Sequence, residues 1–311
     1  MNNIKLCLLT IVTLSILTVT AACNSITPSP TSVPTVIPTE IPKIAIQPVD
    51  IEHTLTVQSM ERTYFLHVPS GLNNQQSVPL VFVFHGLQES STYARIYSGM
   101  DNIANLNNFV VVYPNGSGGD SDQSWNAGNC CGYAQQNNVD DPAFIRAIIG
   151  DVGTMVKVDT KRIYASGFSN GALLSYRLAC EMSDTFAAVA PVAGVLVDSP
   201  CLPQQPVSLI HVHGMTDTVV PIGGGGLNPN TSQPFPSVAD SISTWVKLDG
   251  CKGTEKKEQN GIVTHSTYGE CAAGVGVELY AVGSNGHNWP SQYVIPISQI
   301  IWEFFAAHPK L

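Results

Sequence analysis

The sequence of 311 residues predicts a doubly wound α/β domain around a mostly parallel sheet. Three observations point there. Runs such as Pro79–Phe84 (PLVFVF) and Phe109–Tyr113 (FVVVY) are apolar without polar alternation, the pattern of strands covered on both faces. Segments with apolar residues at helical spacing lie between such runs. From Ile51 to Leu311 the composition is even, and a length of about 260 residues suits one α/β domain.

Thr63–Val68 alternates and stops at Pro69, which suits an early edge strand. Pro79–Phe84 and Phe109–Tyr113 follow as buried strands. Asp141-Pro142 reads as an N-cap and first helical residue, and Phe144, Ile145, Ile148, Ile149, Val152, Met155 and Val156 continue at helical spacing. Arg162–Ala165, Ala187–Val192 and Ser208–Val212 repeat the buried-strand signature. Asn170–Cys180 and Val238–Leu248 are further helices, Val277–Val282 is the last strand, and Ile297–Ala307 is a closing helix. The stretch between Val192 and Ser208 is short, so no large cap domain is expected there.

Two segments precede this domain. Met1–Lys5 carries one positive charge, Leu6–Val19 is an apolar run, and Thr20-Ala21-Ala22 supplies small residues before Cys23. Residues 1–22 therefore read as a secretory signal peptide, its apolar run too short for a comfortable membrane-spanning helix. The ending resembles a bacterial lipobox, in which Cys23 becomes the lipidated first residue, although Thr20 stands where Leu is usual. Cleavage after Ala22 without lipid is the alternative. Pro30, Pro34, Pro38 and Pro42 recur among Thr, Ser and Val, so residues 23–50 read as the lipidation site and an extended spacer. Such a spacer reaches up to about 80 Å at polyproline rise. The expectation is an exported chain, anchored at the cell surface by its N-terminus or released outside the cell, with residues 51–311 as the folded α/β domain.

The formal net charge of −9 is acidic and the chain is poor in lysine, which argues against nucleic acid and against a polybasic membrane patch. With Cys7 and Cys23 set aside, Cys130, Cys131, Cys180, Cys201, Cys251 and Cys271 remain. An even number in an exported chain reads as disulfides. A metal centre is not expected, because no C-x-x-C pair exists and vicinal Cys130-Cys131 chelates poorly. No cofactor is implied either. Gly223–Gly226 lacks the Lys-Ser/Thr that a phosphate loop needs, and Asp140-Asp141 reads as a helix cap beside a solvated neighbour, not as a metal pair.

Chemistry concentrates at Gly167-Phe168-Ser169-Asn170-Gly171, a G-x-S-x-G sequence between a strand and a helix. Small residues permit a turn so sharp that it pushes the serine hydroxyl out at the carboxyl edge of the sheet. A serine nucleophile needs a base, and the base needs an orienting carboxylate. His287 lies in the turn-rich loop Gly283-Ser-Asn-Gly286-His287-Asn-Trp289-Pro290, directly after the last strand. His211 and His213 fall inside an apolar strand and read as structural. Asp217 leaves the strand Ser208–His213 through Gly214-Met-Thr, as an orienting acid should; Asp198 and Asp240 are substitutes less well placed. Two N–H donors must face the oxyanion. The backbone of Asn170 is one, and the loop His85-Gly86-Leu87 supplies the other at Leu87, or else at Gln88.

These residues resemble the polyhydroxybutyrate depolymerase-like esterase family, a branch of the α/β hydrolases that includes feruloyl and acetylxylan esterases. The matching stretches are Arg62-Thr-Tyr-Phe-Leu-His-Val-Pro69, Val83-Phe-His85-Gly86, Ser124-Trp125-Asn126 through Cys130-Cys131-Gly132, Val139-Asp-Asp141, the Ser169 elbow through Arg177-Leu-Ala-Cys-Glu181, His213-Gly-Met-Thr-Asp217 and Gly286-His287-Asn-Trp289-Pro290. They span nearly the whole domain. The resemblance implies an α/β-hydrolase fold and gives Ser169, Asp217 and His287 the catalytic roles already read from the residues. Leu87 departs from relatives that often carry Cys or Gly there. Cys251 and Cys271 lie in one hairpin-like excursion before the last strand, and relatives carry cysteines similarly placed, so they are the first disulfide expected. Among Cys130, Cys131, Cys180 and Cys201 three pairings are possible, with Cys180–Cys201 plus a vicinal bond slightly favoured.

The expected activity is hydrolysis of carboxylic esters through an acyl-enzyme, the substrate being polymer-derived: feruloyl or acetyl esters of plant polysaccharides, or alternatively a polyhydroxybutyrate-type polyester. Trp125, Tyr133 and Trp289 fall in loops near the site and are candidate platforms for a phenolic ring or sugar. A non-catalytic glycan-binding surface lipoprotein is the alternative from another class, and a complete triad in the right order speaks against it. A peptidase would use the same triad, but no second domain shapes a peptide channel.

Overall fold

The structure is a computed structural model that describes residues 49–72, 76–197, 200–228 and 232–311. The leader, Cys23, the spacer up to residue 48 and Asp198 lie outside the described residues. The strands are β1 (Val49–Val57), β2 (Met60–Val68), β3 (Val78–Phe84), β4 (Val110–Pro114), β5 (Val158–Phe168), β6 (Ala188–Val192), β7 (Ser208–Gly214), β8 (Lys256–Asn260), β9 (Val263–Tyr268) and β10 (Val277–Val282). They form one sheet in the order β1-β2-β4-β3-β5-β6-β7-β10-β9-β8. From β4 to β10 every neighbouring pair is parallel, while β1, β2, β8 and β9 add antiparallel ends.

Alternate residues of the central strands serve two separate cores. Leu80, Phe82 and Phe84 of β3 face one side with Phe144, Leu174 and Trp245. Val81 and Val83 face the other with Met100, Ile301 and Phe305. Helices α4 (Asp141–Met155), α5 (Asn170–Glu181) and α6 (Val238–Leu248) cover the first face; α1 (Ser91–Ser98), α2 (Met100–Asn107) and α7 (Ile297–Ala307) cover the second. A short α3 (Gly132–Gln136) lies in the loop after β4. All seven residues of β3 and all seven of β7 are buried, which is why β3 shows no polar alternation and why the alternate His211 and His213 of β7 sit inside the domain.

Two expectations need correction. Thr63–Val68 is not an edge strand: β1 pairs outside β2 along its whole length, using residues too exposed to carry a buried-strand pattern. The cap of α4 is Asp140, whose side chain accepts the Ala143 N–H at 3.0 Å. Asp141 is instead wholly buried as the first helical residue, where it pairs with Arg62 at 2.9 Å and accepts the Asn126 N–H at 2.8 Å. The remaining cysteines pair as Cys130–Cys131, Cys180–Cys201 and Cys251–Cys271. Residues 193–207 carry no helix or strand among those described, in line with the absence of a large cap.

Candidate active site

The strand order reverses between β3 and β5, because β3 sends the chain to β4 on one side while β5 lies on the other. Ligands of open α/β sheets bind at the carboxyl ends of strands flanking such a point. Phe84 of β3 pairs with Gly167 of β5, so the His85 loop and Ser169 emerge side by side.

Ser169 adopts φ 53° and ψ −115°, a conformation that costs a non-glycine residue about 1–3 kcal/mol. Glycine on either side makes the turn possible. A side chain on Gly167 would run into the Gly171 carbonyl, and one on Gly171 into the Phe84 and His85 carbonyls. The Ser169 N–H is held by the Val192 carbonyl at 2.9 Å, and its own carbonyl starts α5 by accepting the Ala172 and Leu173 N–H groups.

The three residues expected to act together are brought together. His287 Nε2 lies 2.8 Å from Ser169 Oγ, and His287 Nδ1 lies 2.7 Å from Asp217 Oδ2. The other oxygen of Asp217 accepts the Val219 and Val220 N–H groups, each at 2.9 Å. Burial alone would raise the Asp217 carboxyl, but the hydrogen bonds from His287 and these backbone groups outweigh it and hold it below the ordinary carboxylate range. The loops that carry Asp217 and His287 are also tied to each other, since Thr216 donates its N–H and its hydroxyl to the Asn285 carbonyl. Asp240, the substitute acid, forms a capping box with Ser237 at α6 instead.

His211 and His213 are buried in β7, as expected, yet they stand directly behind Asp217. His213 Nε2 faces the Val220 carbonyl at 2.8 Å, with Asp217 Oδ2 at 3.5 Å. A carbonyl only accepts, so that nitrogen carries the proton and Nδ1 accepts from His211 Nε2 at 3.1 Å. His211 Nδ1 then accepts the Tyr176 hydroxyl at 2.7 Å. Burial depresses both imidazoles. The result is a neutral donor chain that runs from Tyr176 toward the acid.

Among the described residues, neither the Leu87 nor the Asn170 backbone N–H is bonded to a protein acceptor. Gln88 is excluded as the second donor because its N–H is spent on the Gln123 carbonyl at 2.8 Å. The loop before Leu87 is fixed from several sides. His85 donates Nδ1–H to the Gly86 carbonyl at 2.7 Å and accepts the Gly116 N–H on Nε2 at 2.9 Å. Burial pushes this imidazole down to about 4, so it is neutral at physiological pH. Glu89 reaches back to the Gly86 N–H at 2.9 Å, and burial holds its carboxyl above its ordinary value.

The candidate platforms fare less well. Trp125 is fully buried and offers no face to a ligand. Its indole N–H goes to the His85 carbonyl at 3.0 Å, while its backbone N–H and carbonyl are both held by the Asn170 side chain, at 2.8 and 3.0 Å. Trp125 thus links the His85 loop to the residue that follows Ser169. Trp289 is buried too, with its indole N–H on Ser298 Oγ at 3.1 Å. Tyr133 is partly exposed and lines a hollow with Val57, Met60, Arg62 and Val139. Phe168 and Tyr97, which no motif singled out, pack against His287 and Trp289: the ring centroids are 4.9 Å apart for Phe168 and His287, and 5.5 Å for Tyr97 against both Phe168 and Trp289. Among the described residues no cluster of three or more His, Cys, Asp or Glu is suited to a metal.

Such an arrangement can withdraw a proton from Ser169 Oγ, hold the resulting imidazolium against Asp217 and stabilise negative charge at the Leu87 and Asn170 N–H groups. The sequence profile described as esterase PHB depolymerase matches residues 62–221. A feruloyl esterase B of Piromyces equi is 30% identical over 73% of this chain and 42% of its own length. A bifunctional acetylxylan esterase/xylanase of Neocallimastix patriciarum is 29% identical over 77% of this chain and 32% of its own length. The chain therefore spans less than half of either relative. An acetyl xylan esterase from Aspergillus awamori superposes with a TM-score of 0.60 at 15% identity, covering 83% of this chain and 99% of that one. What this structural likeness establishes is the shared fold, that of the α/β hydrolases.

Proposed function

The chain belongs to the PHB depolymerase family of esterases, and from that premise we propose that it is a serine hydrolase of carboxylic esters attached to plant polysaccharides, feruloyl or acetyl. The observation that carries the reading is the unbroken line Ser169–His287–Asp217, with hydrogen bonds of 2.8 and 2.7 Å. Ser169 Oγ attacks the ester carbonyl carbon as His287 Nε2 takes its proton. The carbonyl oxygen becomes an oxyanion that accepts hydrogen bonds from the Leu87 and Asn170 N–H groups. His287 then gives the proton to the leaving alcohol, which departs and leaves an acyl group on Ser169. Water, deprotonated by the same imidazole, releases the acid. Asp217 keeps His287 in the tautomer that this sequence of transfers needs.

The choice of substrate rests on the feruloyl and acetylxylan esterases among the relatives; a short-chain polyester is the second candidate, favoured by the family description. Export is inferred from residues 1–22 together with three disulfides, and lipidation of Cys23 would keep the enzyme at its own cell surface. The test is turnover of 4-nitrophenyl acetate, methyl ferulate, acetylated xylan and a short-chain polyhydroxyalkanoate by the wild type and by Ser169→Ala. The variant is expected to lose about 10⁴-fold in kcat on whichever ester is turned over. A variant that keeps most of its activity would sink the assignment, and clearing of the polyester alone would reverse the order of substrates.

A further inference from the structure

His287 stands on a loop, where backbone is ordinarily mobile, yet it must keep within hydrogen-bond reach of both Ser169 and Asp217. The chain leaves β10 at Val282 and returns to the interior at Trp289 and Pro290. Between them runs Gly283-Ser284-Asn285-Gly286-His287-Asn288, in which no residue is buried. Asn285 Nδ2 donates to the Gly286 carbonyl at 3.2 Å and to the Asn288 carbonyl at 2.9 Å. Carbonyls only accept, so it is the amide nitrogen and not its oxygen that faces them. The Gly286 carbonyl also accepts the Asn288 N–H at 3.0 Å, which makes His287 the central residue of a three-residue turn. Among the described residues no other side chain bonds the backbone of Gly286, His287 or Asn288.

We propose that Asn285 is a positioning residue, whose side-chain amide clamps the turn that carries the catalytic base. The inference rests on the ester reading above and adds to it a residue outside the triad. The two bonds of Nδ2 span the turn from the residue before His287 to the residue after it, so the His287 backbone turns only if one of them breaks. The ring itself is oriented by Asp217 and packed against Phe168; Asn285 fixes the backbone from which that ring projects. Its main chain adds the register with the acid. The Asn285 carbonyl accepts the Thr216 N–H at 3.2 Å and the Thr216 hydroxyl at 3.0 Å, and Thr216 immediately precedes Asp217. A side chain on Gly214 would run into the Asn285 and Gly286 carbonyls, so the turn lies against the end of β7.

The chemistry of the clamp calls for an amide. Aspartate has the same size but no N–H, and its ionised carboxylate would face two carbonyl oxygens. Alanine leaves the turn open. A displaced base costs most where it is used most. Acylation by an alkyl ester uses His287 twice, first to take the Ser169 proton and then to hand it to the leaving alkoxide. The leaving group of a 4-nitrophenyl ester departs without a proton, so that ester uses the imidazole once.

The experiment compares the methyl and 4-nitrophenyl esters of one acid, acetic or ferulic, whichever the wild type hydrolyses faster, and reads the ratio of their kcat/KM values. Asn285→Ala is expected to lower kcat/KM about 10²-fold on the methyl ester, the cost of a misplacement of about 1 Å, and about tenfold on the 4-nitrophenyl ester. The ratio then falls about tenfold. Asn285→Asp, equal in size, is expected to lower the ratio in the same direction at pH 7, and thermal melting checks that both variants are folded. If Asn285→Ala melts early, Asn285→Asp alone decides. An unmoved ratio in Asn285→Asp, whether or not turnover falls, would overturn the clamp and leave the esterase reading intact. No turnover of any ester by the wild type would overturn both.

Discussion

Asp249 ends α6 with its carboxyl group shut away from solvent. One oxygen accepts the Val207 N–H at 3.2 Å and the other has no protein partner. Burial pushes this group up to about 7 from 3.8. The sign of the effect on stability follows. An unfolded chain releases this proton near pH 4 and the folded chain holds it until about 7, so across that interval each rise in pH favours unfolding. Asp249→Asn removes the titration. Its melting temperature relative to wild type is expected to climb between pH 4 and 7 and level off above, measured by thermal denaturation; a difference that ignores pH would refute the account. At the same scale, Ser169, Asp217 and His287 were legible in sequence because each leaves a strand at its carboxyl end through small turn residues. Trp125 was not. A tryptophan in a loop looks like a platform until His85 and Asn170, each at least 40 residues away in sequence, enclose it, and nothing local announces that enclosure.

Among the elements, central parallel strands such as β3, β4 and β6 were readable because burial on both faces leaves an unbroken apolar run. The outer strands hide. β8 is Lys-Lys-Glu-Gln-Asn with every residue exposed, a charged edge that deters pairing with another sheet and so carries no strand signal. What holds the β8–β9 hairpin to the domain is not a core of its own. The Cys251–Cys271 bond closes its base across a sequence separation of 20, and β9 zips onto β10. Restricting a loop of that length in the unfolded chain contributes about 3 kcal/mol. Replacing both cysteines by serine is therefore expected to lower the midpoint of urea unfolding while ester turnover under native conditions stays near that of the wild type, because no residue of the triad lies in the hairpin. Equal midpoints for variant and wild type would mean that the bond adds nothing to stability.

On the scale of the whole molecule, the site belongs to the middle of the sheet. Ser169, Asp217 and His287 follow β5, β7 and β10, and Leu87 follows β3, all within the parallel region. The two-sided architecture was visible in the alternation of strands and helices; of the antiparallel extensions Thr63–Val68 was visible, while β1, β8 and β9 were not, for want of buried apolar residues. Ser169 meets His287 across 118 residues and Asp217 meets it across 70. These separations bear on time as well as space. Helices such as α4 draw on neighbours in the chain and form early, whereas contacts between distant segments wait for long loops to close. A domain of this size passes through collapsed states that have helices before they have a finished interior. On dilution from urea with the disulfides intact, far-ultraviolet circular dichroism is expected to recover first and turnover of 4-nitrophenyl acetate to trail it. Simultaneous recovery would show the triad assembling with the first helices. If turnover does lag, a newly made chain passes through an interval in which it is folded to the eye of a spectrometer but still inert toward an ester.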